Sequence, residues 1–325
     1  MKNNHNLLMK MKNLEKFSGA IKRCVAIAMA SMLFATTGFS LDTHPVKAQE
    51  VSSSADKIEV PETSKDAFKK YEKISGIGED TILGADFTYY QQCVNPKNPE
   101  WKKTYKDYMS QPLDDIFEYV QEQGINTITL KVAVDPTEND NYLSLNEAMK
   151  TLKAVKQSKA KIKTNLVLLY SDSMTYANKQ SLPNGWTKED AVKEAQDYTT
   201  EVIAKLKAED IAPSIITIGN EVNCNFLDIK KEWDSFVGMA SIAEIIKKND
   251  IKVALSLSKP ENLQWLIEQF GYAKVDYDYL GVNLYPDDET NSYVENLKKI
   301  VEQNASKVQF FVSGVQYDRV NDKNT

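Results

Sequence analysis

Groups able to handle hydroxylated substrates recur at one kind of place in this sequence, just after a short apolar run. They are Asp86, Lys131 with Asp135, Tyr170 with Asp172, Asn220 with Glu221, Ser256 with Ser258, Asn283 with Tyr285, and Val312 with Ser313. Carboxylates, amides and phenols hydrogen-bond sugar hydroxyls. The aromatic rings of Tyr89, Tyr90, Trp186 and Tyr285 can stack on pyranose faces. The most informative of these positions is Gly219-Asn220-Glu221, after the run Ile215-Ile216-Thr217-Ile218. A carboxyl at the end of an apolar strand is the group that general-acid chemistry uses, and the amide before it can hold a substrate hydroxyl. The only histidines, His5 and His44, precede residue 49. Ser-His-Asp or Cys-His catalysis, imidazole zinc sites and histidine pH switching are therefore excluded from the rest of the chain.

The elements that must position these groups repeat. Apolar, β-branched runs predict strands at Ile82–Phe87, Ile125–Val132, Ile162–Leu169, Ser214–Gly219, Ile251–Leu257, Tyr279–Leu284 and Val308–Val312. Between them, amphipathic spacing predicts helices at Pro112–Gln123, Leu145–Ser158, Lys188–Ala208, Glu232–Lys248, Glu261–Phe270 and Ser292–Gln303. Ser144 with Glu147 and Thr187 with Asp190 have capping spacings, and Gly124 and Gly271 stand where helices would stop. This alternation implies parallel strands joined by right-handed crossovers. A doubly wound sheet would open on a Gly-rich phosphate turn, but the first run continues into Gly84-Ala85-Asp86-Phe87-Thr88-Tyr89-Tyr90. The expected fold is α/β, a (β/α)8 TIM-type barrel with seven readable strands, whose eighth strand is missing at the C-terminus. In such a barrel the groups above all gather at the C-terminal face.

The chain is 42% apolar and 26% charged, a globular composition that excludes disorder and fibre. Residues 1–48 hold seven basic and two acidic side chains, which leaves a body of net charge −11. That charge disfavours nucleic acid as a partner. Lys10, Lys12, Lys16, Lys22 and Arg23 precede the apolar stretch Cys24–Phe39, and Val46-Lys47-Ala48 offers a small-residue cleavage site. Residues 1–48 therefore read as a secretory signal peptide, with no stable membrane insertion once it is cleaved. Residues 49–80 read as a polar linker with one helix near Lys65–Ile74, and residues 81–325 as the barrel domain. Only Cys93 and Cys224 lie beyond the leader. They would sit on loops on opposite sides of a barrel, too far apart for a disulfide.

The spaced motifs resemble the endo-β-1,4-galactanases, family 53 of the glycoside hydrolases, over about Leu83 to Val312. Gly84-Ala85-Asp86 is similar to the family's opening Gly-Ala-Asp, and Leu130-Lys131-Val132 with Asp135-Pro136 to its Arg-Leu-Arg-Val-Trp-x-Asp-Pro. Tyr170-Ser171-Asp172, Lys179-Gln180, Pro183 and Trp186 follow its His-Tyr-Ser-Asp…Lys-Gln…Pro…Trp. Gly219-Asn220-Glu221 resembles the acid/base motif, and Gly281-Val282-Asn283-Leu284-Tyr285-Pro286 its Gly-x-Ser-Tyr-Tyr-Pro. The resemblance implies a secreted, retaining barrel enzyme that cuts the β-1,4-galactan of pectic arabinogalactan. It also implies Glu221 as acid/base, with Asp86, Asp172, Trp186, Asn220, Asn283 and Tyr285 as substrate-binding residues. It implies no cofactor, and no metal is assigned.

The sequence departs from the family pattern at Leu169 and near Ser256, where the family has histidines. It departs most at the seventh strand. The family nucleophile is a glutamate in a Val-Val-Glu-Thr-Ala-Tyr-like stretch, and here the run is Phe310-Phe311-Val312-Ser313-Gly314-Val315-Gln316-Tyr317. Retaining hydrolysis needs a second carboxyl about 5–5.5 Å from the first, and an inverting route needs one at about 6.5–9.5 Å. Asp86, Asp172 and Asp287 are the candidates for the latter. The sequence therefore leaves three expectations: a galactanase-like hydrolase acting through Glu221, a relative that binds β-glycan without cutting it, and a truncated remnant.

Overall fold

A computed structural model describes residues 82–94, 113–223, 225–229, 231–258, 261–284 and 290–315. The leader, the linker with its expected helix, Cys224, Tyr285 and Asp287 lie outside the described residues. Seven strands, β1 (Gly84–Asp86), β2 (Thr127–Val132), β3 (Lys163–Leu168), β4 (Ile215–Ile218), β5 (Lys252–Ser258), β6 (Tyr279–Leu284) and β7 (Gln309–Val315), form one sheet in sequence order. Every adjacent pair is parallel. The helices are α1 (Tyr90–Val94), α2 (Ile116–Glu122), α3 (Leu145–Gln157), α4 (Ala191–Ala208), α5 (Glu232–Lys247), α6 (Leu263–Tyr272) and α7 (Thr290–Asn304). The chain thus has the (β/α)8 barrel type of fold, and no eighth strand joins β7 to β1 among the described residues.

The two faces of each strand divide the labour. On alternate positions Leu166, Leu168, Ile216, Ile218, Leu255 and Leu257 are fully buried. Helix α4 buries Ala195, Thr199, Val202 and Leu206, and α5 buries Phe236, Met239, Ala243 and Ile246, each an apolar stripe at helical spacing. Helix α5 lies against β4 and β5. Each such large side chain contributes about 1.5–3 kcal/mol by leaving water. The opposite strand positions carry a polar row. Thr217 Oγ1 donates to Asn165 Oδ1 at 2.8 Å, and Asn165 Nδ2 donates to Thr129 Oγ1 at 3.3 Å. A buried amide so satisfied fixes the stagger of β2, β3 and β4.

Local signals account for most boundaries. Ser144 caps α3 by accepting from Glu147 N at 3.3 Å, as its spacing predicts. Asp115 caps α2, taking Phe117 N at 2.9 Å and Glu118 N at 3.2 Å. Gly124 ends the α2 segment at φ +97°. Gly271 does not end α6, which runs through it to Tyr272 before Ala273 closes it. Helix α1 was not signalled by periodicity because five residues are too few to show one. Asp278, ahead of β6, ties three elements together. It accepts from Lys252 Nζ at 2.9 Å, Lys247 Nζ at 2.7 Å and Val253 N at 2.8 Å.

Candidate functional site

The chain leaves β4 through two left-handed residues, Gly219 at φ 64° and Glu221 at φ 56°. A Cβ on Gly219 would lie 2.3 Å from Val222 Cγ1, so only glycine fits there. Glu221 holds a conformation that costs a non-glycine residue about 1–3 kcal/mol, a form of strain that surroundings must impose. Gly219 N donates to Leu168 O on β3 and Val222 N to Ser256 O on β5, each at 2.9 Å. Inside this hook, Gln180 is 5% exposed, and its Nε2 donates to the carbonyls of Asn220 at 2.8 Å and Tyr176 at 2.9 Å. Asn220 is also buried, with Nδ2 donating to Thr175 O at 2.8 Å.

The result is a glutamate that is only 3% exposed and held at both carboxyl oxygens. Oε2 accepts from Ala177 N at 2.9 Å, and Oε1 accepts from Asn283 Nδ2 at 2.7 Å. Asn283 then faces Ser313, whose Oγ donates to Asn283 Oδ1 at 2.6 Å. Ser256 Oγ lies 3.3 Å from Ser313 Oγ and supplies the next donor. A relay Ser256–Ser313–Asn283–Glu221 therefore crosses β5, β7, β6 and the end of β4.

Ser313 reaches this relay through a register change. Val282 pairs with Val312, but Asn283 pairs with Gly314, so Ser313 is the extra residue of a β-bulge. Gly281 makes room beneath it, since a Cβ there would fall 2.6 Å from Ser313 Cβ. The position that the family resemblance gives to a nucleophilic carboxylate thus presents a hydroxyl, spent on Asn283.

The remaining expected residues divide by location. Asp86, at the end of β1, accepts from Lys131 Nζ on β2 at 2.8 Å and from Thr88 N and Oγ1 at 2.9 and 2.6 Å. Desolvation pushes the Asp86 carboxyl up, but Lys131 and the Thr88 hydrogen bonds outweigh it and hold the group below its ordinary value. Asp86 in turn raises the Lys131 ammonium, so both stay charged. Asp172 is committed to loop backbone, accepting from Asp135 N at 3.0 Å and Asn184 N at 2.7 Å. It joins the loops after β2 and β3. Trp186 sits edge-on to Tyr198, with centroids 6.4 Å apart. Tyr285 lies outside the described residues.

Two expectations about aromatic groups change. Tyr170 does not project into the mouth of the barrel. At φ 50° its ring turns onto α4, where its hydroxyl bonds Thr199 Oγ1 at 2.8 Å and burial pushes it up. Tyr90 is not a free platform but packs with Phe87 and Phe117 in the cluster under α2. The roles of Gln180, of Ala177 N and of Ser313 as a partner of Asn283 are not legible in the sequence. The Lys179-Gln180 motif was the one available signal. Cys93 is a free thiol.

The family sequence model described as "Glycosyl hydrolase family 53" matches residues 82–325. An arabinogalactan endo-beta-1,4-galactanase of Cellvibrio japonicus is 29% identical over 237 residues, 65% of this chain and 59% of that protein. The chain spans 59% of that curated relative's length and 53% of that of a probable arabinogalactan endo-beta-1,4-galactanase A from Aspergillus fumigatus, to which it is 26% identical over 54% of its own length. The family 53 catalytic domain of Ignisphaera aggregans superposes with a TM-score of 0.66 at 21% identity, covering 78% of this chain and 73% of that one. That likeness carries the barrel fold. The chain belongs to glycosyl hydrolase family 53.

Proposed function

We propose that this chain is an exported, galactanase-type protein whose barrel mouth takes β-1,4-galactan. In this reading Glu221 is the acid/base carboxyl, and Ser313 at the nucleophile position leaves the chain holding its substrate with little or no hydrolysis. The galactan is the substrate for which its relatives, arabinogalactan endo-beta-1,4-galactanases, are named. Export rests on the basic and apolar leader. Asn220, Asn283, Asp86, Asp172, Trp186 and Tyr285 are the proposed substrate contacts.

The observation that carries the reading is the relay itself. Across from Glu221, the hydrogen bond from Asn283 Nδ2 leads to a serine hydroxyl on β7. With no histidine in the body of the chain to act as base, that hydroxyl is a poor nucleophile. Titration calorimetry of the purified protein with β-1,4-galacto-oligosaccharides, run beside a reducing-end assay, tests the reading. Binding with release at the buffer rate is expected. Failure to bind any of the oligosaccharides would overturn it.

A further inference from the structure

We propose that Tyr89 and Tyr142, with the Asp86–Lys131 pair at their foot, form a distal pyranose-binding subsite on the β1–β3 side of the barrel mouth. The inference rests on the galactan reading above and adds a place where a sugar well away from Glu221 would sit. The rings of Tyr89 and Tyr142 stack with centroids 4.2 Å apart and planes inclined by 20°. One face of Tyr89 is covered by this partner, yet the residue remains 49% exposed. Tyr142 is rooted from below, packing on Ala133, Leu143, Val167 and Leu169.

This is a rigid platform, not a loose loop tip. Thr88 Oγ1 donates to Asp86 and accepts Lys131 N at 3.0 Å, pinning the residue before Tyr89 to β2. Tyr89 O accepts from Gln92 N and Cys93 N, each at 3.1 Å, and so opens α1. An exposed aromatic ring whose backbone and underside are both fixed loses little freedom on binding. Beside it, Lys131 places one of its three ammonium protons on Asp86 at 2.8 Å. The pair offers a donor and an acceptor to ring hydroxyls, while Tyr89 offers the apolar face. That is the chemistry of a pyranose. Tyr176, which is 48% exposed, precedes the residue whose N–H holds Glu221 and adds a second exposed ring near the Glu221 end. Three ladder spacings of about 4.8 Å separate β1 from β4, so the platform is roughly 14 Å along the sheet from the carboxylate strand. That is farther than one sugar ring reaches.

The test compares galacto-oligosaccharides of two to six units by calorimetry against the wild type, Tyr89→Ala, Tyr89→Phe and Tyr272→Ala. Tyr272 is 70% exposed at the end of α6 and serves as the control. Tyr89→Ala should weaken the longer oligosaccharides about tenfold, 1.4 kcal/mol, and leave the disaccharide unchanged. Tyr89→Phe and Tyr272→Ala should match the wild type. Long-chain binding that is equal in wild type and in a cooperatively melting Tyr89→Ala overturns the subsite and leaves the galactan reading standing. Absence of binding in the wild type overturns both.

Discussion

On the proposed reading, replacing Ser313 with glutamate should add hydrolysis to the binding of galactan. The reach can be worked from the relay. Glu221 Oε1 and Ser313 Oγ are joined through Asn283 by hydrogen bonds of 2.7 and 2.6 Å. With the width of one amide added, the two oxygens are at most about 8 Å apart. A glutamate arm from position 313 extends past the serine oxygen and can bring its carboxylate into the window of about 5–5.5 Å that retaining hydrolysis uses. Removing the nucleophile from a site of this logic costs about 10⁶ in kcat, which is about 8 kcal/mol. Two losses are set against its return. The Ser313–Asn283 hydrogen bond goes, at about 1 kcal/mol, and a misplacement of about 1 Å costs about 10².

The expected gain in kcat for Ser313→Glu is therefore about 10³ over the wild type. Reducing ends released from β-1,4-galactan report the rate, and the anomer first formed, followed by NMR, reports retention. Ser313→Asp, with its shorter arm, should gain less. The reasoning is refuted if Ser313→Glu folds and binds oligosaccharide like the wild type but releases sugar no faster. It is equally refuted if the wild type already turns over within the ordinary enzyme range of about 1–10³ s⁻¹.

Glu221→Gln places an NH₂ group against either Ala177 N or Asn283 Nδ2, so one buried donor loses its acceptor. A loss of about 1–3 kcal/mol is expected in urea unfolding, and in the Ser313→Glu background the variant should abolish the gained activity. Gly219→Ala meets both the left-handed φ and the 2.3 Å contact with Val222. It should cost about 2–4 kcal/mol, read as a lowered urea midpoint with little change in slope. At Asp278, burial raises the carboxyl, but the hydrogen bonds from Lys247, Lys252 and Val253 N overcome it and hold the group below its ordinary value. Its stabilisation is then complete above about pH 4 and fades as pH falls through the lowered folded value. Asp278→Asn should lose about 1.5–3 kcal/mol at neutral pH, and its melting temperature should converge on that of the wild type in acid.

What the sequence disclosed, and what it hid, follows from the range over which each feature is determined. The strands were legible because runs such as Ile215–Ile218 and Lys252–Ser258 bury nearly every residue, and their β-branched and leucine content shows it. Gly219-Asn220-Glu221 was legible as a position, but the hook was not, since it rests on a left-handed φ that only glycine tolerates beside Val222. Tyr170 misled because it stands one place after Leu169 at a strand end. A single left-handed φ, which no pattern of apolar residues encodes, turns its ring from the mouth onto Thr199. Asp172 was legible as a carboxylate after a strand, but the loop backbone it holds was not. Its two backbone partners, Asp135 and Asn184, are brought near only by the folded loops.

The pairing of Asn283 with Ser313 was the least readable feature, because it depends on one extra residue in a ladder between strands 30 positions apart. A bulge leaves no mark in composition or period, yet it aims Ser313 at the amide that holds Glu221. The family resemblance says only that a serine stands where a glutamate is expected. In the folded chain the hydroxyl closes a relay that satisfies Asn283 and, through it, one oxygen of Glu221. On the proposed reading, Ser313 therefore bears on Glu221 through Asn283 as well as on the nucleophile position. Ser313→Ala separates those two effects. It restores no nucleophile, but it frees Asn283 Oδ1, so it should weaken oligosaccharide binding while the rate of hydrolysis stays at the wild-type level.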